Sequence, residues 1–168
     1  SRFLRGSIYE YISEQDGVHL PTLGEDHEVL DNLIVEDAMI NSPFCLNSDL
    51  QVKMALRKVD QLPYSGYPIL NKGRLLGMVS KKDIQTHFAK GNGHVSLEDM
   101  CRKTVIKVYP DQSLLMAFHK LKKYHVSRLP IVSRVNDKEI VGIITAEDIV
   151  NQFGYHIKEK EENQIKSP

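Results

Sequence analysis

Tyr67-Pro68-Ile69-Leu70, followed by Gly77-Met78-Val79-Ser80-Lys81-Lys82-Asp83-Ile84, has a second version later in the chain. That version is Leu129-Pro130-Ile131-Val132, followed by Gly142-Ile143-Ile144-Thr145-Ala146-Glu147-Asp148-Ile149. Each version reads as two short strands running into a helix whose first turn is opened by a hydroxyl residue, Ser80 or Thr145. Such a repeat sets the fold before any single motif does. Upstream, Asp49, Val52, Met54, Ala55, Leu56, Val59 and Pro68 match Asp111, Leu114, Met116, Ala117, Phe118, Leu121 and Pro130 at a displacement of 62. Downstream the displacement becomes 65, matching Gly77, Ser80, Asp83, Ile84 and Phe88 to Gly142, Thr145, Asp148, Ile149 and Phe153. The change falls between Asn71-Lys72-Gly73 and the longer Arg134-Val135-Asn136-Asp137-Lys138, turns that can absorb an insertion.

Val52, Ala55, Leu56 and Val59 fall at i, i+3, i+4 and i+7, as do Leu114, Ala117, Phe118 and Leu121, giving each copy one amphipathic helix. With a short leading strand at Phe44 to Leu46 and at Val105 to Val108, each copy reads β-α-β-β-α. The expected class is α+β. A unit of about 60 residues buries too little surface to be comfortable alone, so two should pack together with pseudo-two-fold symmetry. The division is a lead-in over residues 1–32, a first repeat over 33–93, a second over 94–156, and a charged tail over 157–168 that reads as a frayed helix end or disordered.

The 168 residues carry 22 Lys+Arg against 22 Asp+Glu, and this neutrality argues against nucleic acid as a bulk electrostatic partner. Cys45 and Cys101 form no disulfide framework and read as small buried hydrophobes. No apolar run approaches the length of a membrane span. The chain is read as a soluble, cytosol-facing piece of something longer. Its seven histidines (His19, His27, His87, His94, His119, His125, His156) make no His-x3-His pair, and there is no Cys-x2-Cys, nucleophile elbow, P-loop or dinucleotide fingerprint. Catalytic and metal residues are therefore expected to be absent, and no cofactor to be required.

The two Gly-h-h-Ser/Thr-x-x-Asp strings with their Pro-containing strands resemble the tandem CBS-domain pair over roughly residues 33 to 154. The resemblance implies a regulatory, non-enzymatic module that binds adenine nucleotides or S-adenosyl compounds in clefts between its repeats. Tyr64-Ser65-Gly66-Tyr67-Pro68-Ile69, with the lead-in Ser7-Ile8-Tyr9-Glu10-Tyr11-Ile12 and His19-Leu20-Pro21, is similar to the cytoplasmic C-terminal region of CLC-type chloride channels and transporters. In that family the lead-in follows the last membrane helix, so a membrane channel or transporter domain of the same polypeptide is the implied partner. A homodimer formed through the repeats is the other.

Ser80-x-x-Asp83 and Thr145-x-x-Asp148 have a structural reading as helix caps, worth about 0.5 to 2 kcal/mol. They have a ligand reading too, since a helix start accepts phosphate and a carboxylate accepts ribose hydroxyls. The resemblance implies a first ligand site from Phe44, Tyr64, Ser65, Gly66, Thr145 and Asp148, with Tyr64 as the stacking face for adenine. Phe44 departs from the family there, standing near where CLC-type sites place a Thr. A second site would combine Ser80 and Asp83 with His125, Ser127 and Arg128. The possible regulatory ligand is ATP, ADP or AMP. A nucleotide-independent dimerisation module and a regulatory segment of a metabolic enzyme are the alternatives.

Overall fold

The computed structural model describes residues 23–167, with side chains from residue 27, so the lead-in features at residues 7–12 and 19–21 lie outside the described residues. The elements, in chain order, are α1 (Leu23–Asn32), α2 (Val35–Ala38), β1 (Ile40–Asn41), β2 (Leu46–Asn47), α3 (Val52–Val59), β3 (Gly66–Asn71) and β4 (Arg74–Ser80). They continue with α4 (Lys81–Ala89), α5 (Leu97–Met100), α6 (Leu114–Lys123), β5 (Arg128–Val132), β6 (Ile140–Thr145) and α7 (Ala146–Lys166). Two three-stranded sheets result, ordered β2-β3-β4 and β1-β6-β5. In the first, β2 runs parallel to β3 and β3 antiparallel to β4. In the second, β1 is antiparallel to β6.

The chain forms two compact units that do not follow the repeats in sequence. One, the first-repeat unit, holds residues 40–107 and 130–143; the other, the second-repeat unit, holds, among the described residues, 23–39, 108–129 and 144–167. In the first-repeat unit, Val52, Ala55 and Val59 of α3 are buried with Tyr67 and Ile69 of β3, Val79 of β4 and Ile84 of α4. This is the stripe that the helical spacing requires, placed against the alternating face of the hairpin. Gln51 provides no side-chain cap for α3. Instead the N–H groups of Val52 and Lys53 donate to the carbonyls of Val95 and Gly93, both at 2.9 Å, satisfying donors the helix itself cannot. In the second-repeat unit, Leu114, Ala117, Phe118 and Leu121 are the buried stripe of α6, and Ser113 caps that helix by accepting from Met116 N–H at 3.1 Å.

The single-turn helices are exchanged in a regular way. Leu97 and Glu98, at the start of α5, donate to the carbonyls of Leu50 and Ser48 beside α3. Val35 and Glu36, at the start of α2, donate in the same manner to Gln112 and Pro110 beside α6. Each donor and each acceptor of the first set lies 62 residues from its counterpart in the second. The turn preceding the first repeat thus serves the second repeat's helix, and the turn between the repeats serves the first. The sheets follow suit, since Ile40 bridges Ile143 and Arg102 bridges Met78. Gly77 makes the latter approach possible. A Cβ there would meet Arg102 O at 2.6 Å and Cys101 Sγ at 2.8 Å.

The structure corrects three expectations. No strand spans Val105 to Val108; only Val108 makes a single-residue bridge. Just beyond it, Tyr109 N–H is taken by Gln112 Oε1 at 2.9 Å and Pro110 has no N–H, so a ladder cannot extend. The first leading strand begins at Leu46 rather than Phe44. The tail is not frayed from residue 157, because α7 continues to Lys166. Residues 158–166 are mostly strong helix formers, and Tyr155 donates to Glu159 one turn on at 3.3 Å.

Candidate functional site

In the first-repeat unit, the register places Gly66 opposite Ser80, where β4 runs into α4. Ser80 Oγ accepts from Asp83 N–H at 2.9 Å and is the N-cap. Lys81 N–H donates to Ser65 O at 2.8 Å, fixing the Ser65-Gly66 backbone against the helix start. The Lys81 ammonium donates to Asp60 O at 3.0 Å and to Leu62 O at 3.1 Å, tying the exit of α3 to the same place. Asp83 itself is exposed.

Tyr67 organises the aromatic side of this unit. It is fully buried, and its hydroxyl donates to Tyr64 O at 3.0 Å. Phe44 and Tyr64 both meet the Tyr67 ring edge to face, with centroids at 6.0 and 6.3 Å. Both flanking rings remain partly open, at 44% and 39% exposure. Two apolar faces are thus held beside the exposed Ser65 by a buried third ring. Sequence reasoning missed Tyr67 as the support. The signal was its difference from Leu129 in the second copy.

The second-repeat unit brings Thr145, Asp148, His125, Ser127 and Arg128 into one neighbourhood. Thr145 and Asp148 form a complete capping box. Asp148 N–H donates to Thr145 Oγ1 at 3.2 Å, while Thr145 N–H and the Thr145 hydroxyl both donate to Asp148 Oδ2 at 2.8 Å. One carboxylate oxygen is thereby committed to the helix start. Beside it lies a cleft of about 550 Å³, floored by Phe118 and Leu121 and lined by Lys122, His125, Ser127, Arg128, Thr145 and Glu147.

His125 has a structural role that its sequence position did not reveal. It adopts φ +50° just after α6. Its N–H donates to Lys122 O and that of Val126 to Leu121 O, at 3.4 and 3.2 Å, the bond pattern of a Schellman closure. The backbone therefore presents the imidazole at the cleft from a left-handed position that usually belongs to glycine.

Described unit by unit, the candidates fall into two groups. Phe44, Tyr64, Ser65, Gly66, Ser80 and Asp83 belong to the first-repeat unit, and His125, Ser127, Arg128, Thr145 and Asp148 to the second. Neither cysteine is poised for chemistry. Burial pushes the Cys45 thiol up to about 11 and raises that of Cys101. Among the described residues, no group of three His, Cys, Asp or Glu side chains is arranged to hold a metal ion, and no helix is long and apolar enough to cross a membrane.

Comparison with known proteins accounts for this layout. Residues 35–90 and 97–154 each match the CBS domain family. The chain is 30% identical over 152 residues to inosine-5'-monophosphate dehydrogenase of Nitrosopumilus maritimus, covering 89% of this chain and 29% of the enzyme. It is 26% identical to L-aspartate semialdehyde sulfurtransferase of Methanocaldococcus jannaschii over 122 residues, covering 72% of this chain and 23% of the enzyme. The chain thus spans under a third of either relative. Among solved structures, the CBS domain pair of protein MJ0100, in complex with 5'-methylthioadenosine and S-adenosyl-L-methionine, aligns with a TM-score of 0.64 at 26% identity, covering 73% of this chain and 97% of that one. CBSX2 in complex with AMP aligns with a TM-score of 0.64 at 24% identity, covering 76% of this chain and 99% of that one. The two matched copies, the α+β elements they share and the aligned structures all say the same thing: the chain belongs to the CBS domain family and is a tandem CBS pair.

Proposed function

We propose that this CBS pair is a regulatory module that senses an adenine nucleotide. The observation that carries the reading is the second-repeat cleft, where Lys122, His125 and Arg128 line a cavity together with the hydroxyl residues Ser127 and Thr145. Cations and hydroxyls at a helix start are the groups that hold phosphate. In the first-repeat unit, the open faces of Phe44 and Tyr64 are of the kind on which a purine stacks. The complex of the MJ0100 pair with two adenosine derivatives supports adenine as the base. The sequence-based assignments stand within this proposal: Phe44, Tyr64, Ser65, Gly66, Thr145 and Asp148 for one ligand, and Ser80, Asp83, His125, Ser127 and Arg128 for another. The mechanism is a population shift. A nucleotide biases a larger protein only by its difference in affinity for two arrangements of the module. The module acts as a homodimer, the usual symmetric solution for a regulatory attachment.

The parent polypeptide has two readings. The Tyr64-Ser65-Gly66-Tyr67-Pro68-Ile69 string supports a CLC-type chloride channel or transporter, with this module on the cytoplasmic side. The relatives, metabolic enzymes of which the chain covers under a third, favour a regulatory segment of an enzyme. Fractionation of the native protein separates them, because only the first sediments with membranes.

Calorimetric titration with AMP and ATP tests the sensor. Asp148→Ala is expected to weaken binding roughly ten- to hundredfold, the loss of charge-assisted bonds worth about 1.5 to 3 kcal/mol, while Asp83→Ala leaves that site unchanged. Melting of the ligand-free variant separates binding from loss of the capping box. If wild type gives neither heat nor a melting shift with millimolar AMP or ATP, the sensor reading falls and a nucleotide-independent dimerisation module replaces it.

A further inference from the structure

The β3–β4 hairpin turns through Lys72 and Gly73, both left-handed at φ +49° and +77°, with Asn71 paired to Arg74 across the turn. Two successive left-handed residues make the tight turn that matches the twist of the strands, so the tip is stiff. Leu75 N–H donates to Lys138 O at 2.7 Å, which fastens this tip to the turn between β5 and β6. That second turn is braced as well, with Glu139 N–H on Asn136 O at 2.9 Å and Lys138 N–H on Asn136 Oδ1 at 3.1 Å.

Between the two turns lies a groove of about 320 Å³, lined by Asn71, Lys72, Arg74, Leu75, Leu76 and Lys138. No carboxylate lines it. The acid beside it, Asp137, is already engaged by Lys107 at 2.9 Å. That hydrogen bond and the Lys107 charge, and after them Lys138 and Arg74, hold the Asp137 carboxyl below its ordinary range. A chain with no net charge thus places three cations around one groove between two braced turns.

We propose that this groove is a binding site for a polyvalent phosphate anion, carried either by a soluble phosphate compound or by a phospholipid headgroup. Three like charges lining one groove favour a ligand that carries more than one negative charge. The Arg74 guanidinium offers the planar fork that phosphate oxygens accept in pairs, and the two ammonium groups add point charges. The site lies wholly in the first-repeat unit and uses none of the residues assigned to the nucleotide.

The test uses the full 168-residue chain. Pyrophosphate is titrated at low ionic strength while backbone amide resonances are followed, in wild type and in Lys72→Glu/Arg74→Glu. Saturable shifts centred on residues 71–76 and 136–139 are expected, with at least a tenfold loss of affinity in the double variant. Cosedimentation with phosphatidylglycerol vesicles, against phosphatidylcholine vesicles, identifies the source. Binding only to the anionic vesicles, lost in the double variant, assigns a headgroup; binding only to pyrophosphate assigns a soluble phosphate. If wild type engages neither probe, or the folded double variant binds as wild type does, the proposal is overturned.

Discussion

The two repeats close the same strand-to-helix junction with different chemistry. At Ser80 a single bond from Asp83 N–H suffices, and the same unit carries the Phe44–Tyr67–Tyr64 ring cluster. At Thr145 the capping box is complete, and its neighbours are Lys122, His125 and Arg128 around an open cleft. The contrast teaches that duplication preserved the backbone solution, a hydroxyl cap two strands after a buried helix stripe, while releasing the surroundings. One copy carries aromatic rings there, the other Lys122, His125, Arg128 and Glu147.

The largest expected effect comes from making the aromatic side resemble the other. Tyr67→Leu gives the first copy the residue that Leu129 supplies in the second. It deletes a buried ring and leaves Tyr64 O without its hydroxyl donor. A loss of about 2 to 3 kcal/mol is expected in urea unfolding, from a partial cavity plus one hydrogen bond. The reciprocal Leu129→Tyr tests whether the second copy has room for the ring, and overpacking predicts that it too destabilises.

The caps come next. Thr145→Ala removes the hydroxyl that accepts from Asp148 N–H and donates to Asp148 Oδ2, leaving the backbone N–H bond to Asp148 in place, and should cost about 1 to 2 kcal/mol, whereas Ser80→Ala removes one bond and should cost about 0.5 to 1 kcal/mol. Equal losses would show that the Thr145–Asp148 exchange adds nothing beyond an ordinary cap.

The smallest effect concerns protons. His119 stands in the second copy where Arg57 stands in the first, a residue charged at all relevant pH. Burial, and then the neighbouring His27, lower the His119 pKa below its ordinary 6.5. The folded state therefore binds this proton less readily than the unfolded chain. The stabilisation it reflects is present above that ordinary value and is lost as pH falls through the lowered one. Imidazole resonances should place the His119 midpoint under 6.5, and His27→Gln should raise it. The melting temperature should fall slightly on mild acidification, and less so in His119→Arg.

Much of this architecture was legible in the sequence because its causes are local. The stripes of α3 and α6, the hairpin strands and the hydroxyl caps follow from spacing and residue type within a dozen positions. The exchange of α2 and α5 was not found, although Val35-Glu36-Asp37 and Leu97-Glu98-Asp99 carry the same displacement of 62 as the rest of the repeat. Periodicity pairs neighbours, and those turns find their partners at Gln112 and Leu50 through backbone bonds that no side chain announces. The failed strand at Val105 to Val108 has a more local cause. Its β-branched residues suit a strand, but Gln112, three residues beyond Tyr109, takes the Tyr109 N–H with its side chain. In the site, residue types were readable. The support of Phe44 and Tyr64 by Tyr67 and the left-handed backbone of His125 were not, because each depends on what three dimensions place next to it.

The exchanged turns set an order for a chain emerging from a ribosome. The first repeat lacks its closing bridge until Arg102 has been made, some way past its own last helix. The β1 strand at Ile40 must remain unpaired for about a hundred residues, until Ile143 appears. Such distant closures slow folding, because the intervening loop must be ordered before the contact repays it. A chain halted between the repeats would therefore present an unmatched sheet edge to its surroundings, and synthesis of the strand that carries Gly142 and Ile143 is what removes it.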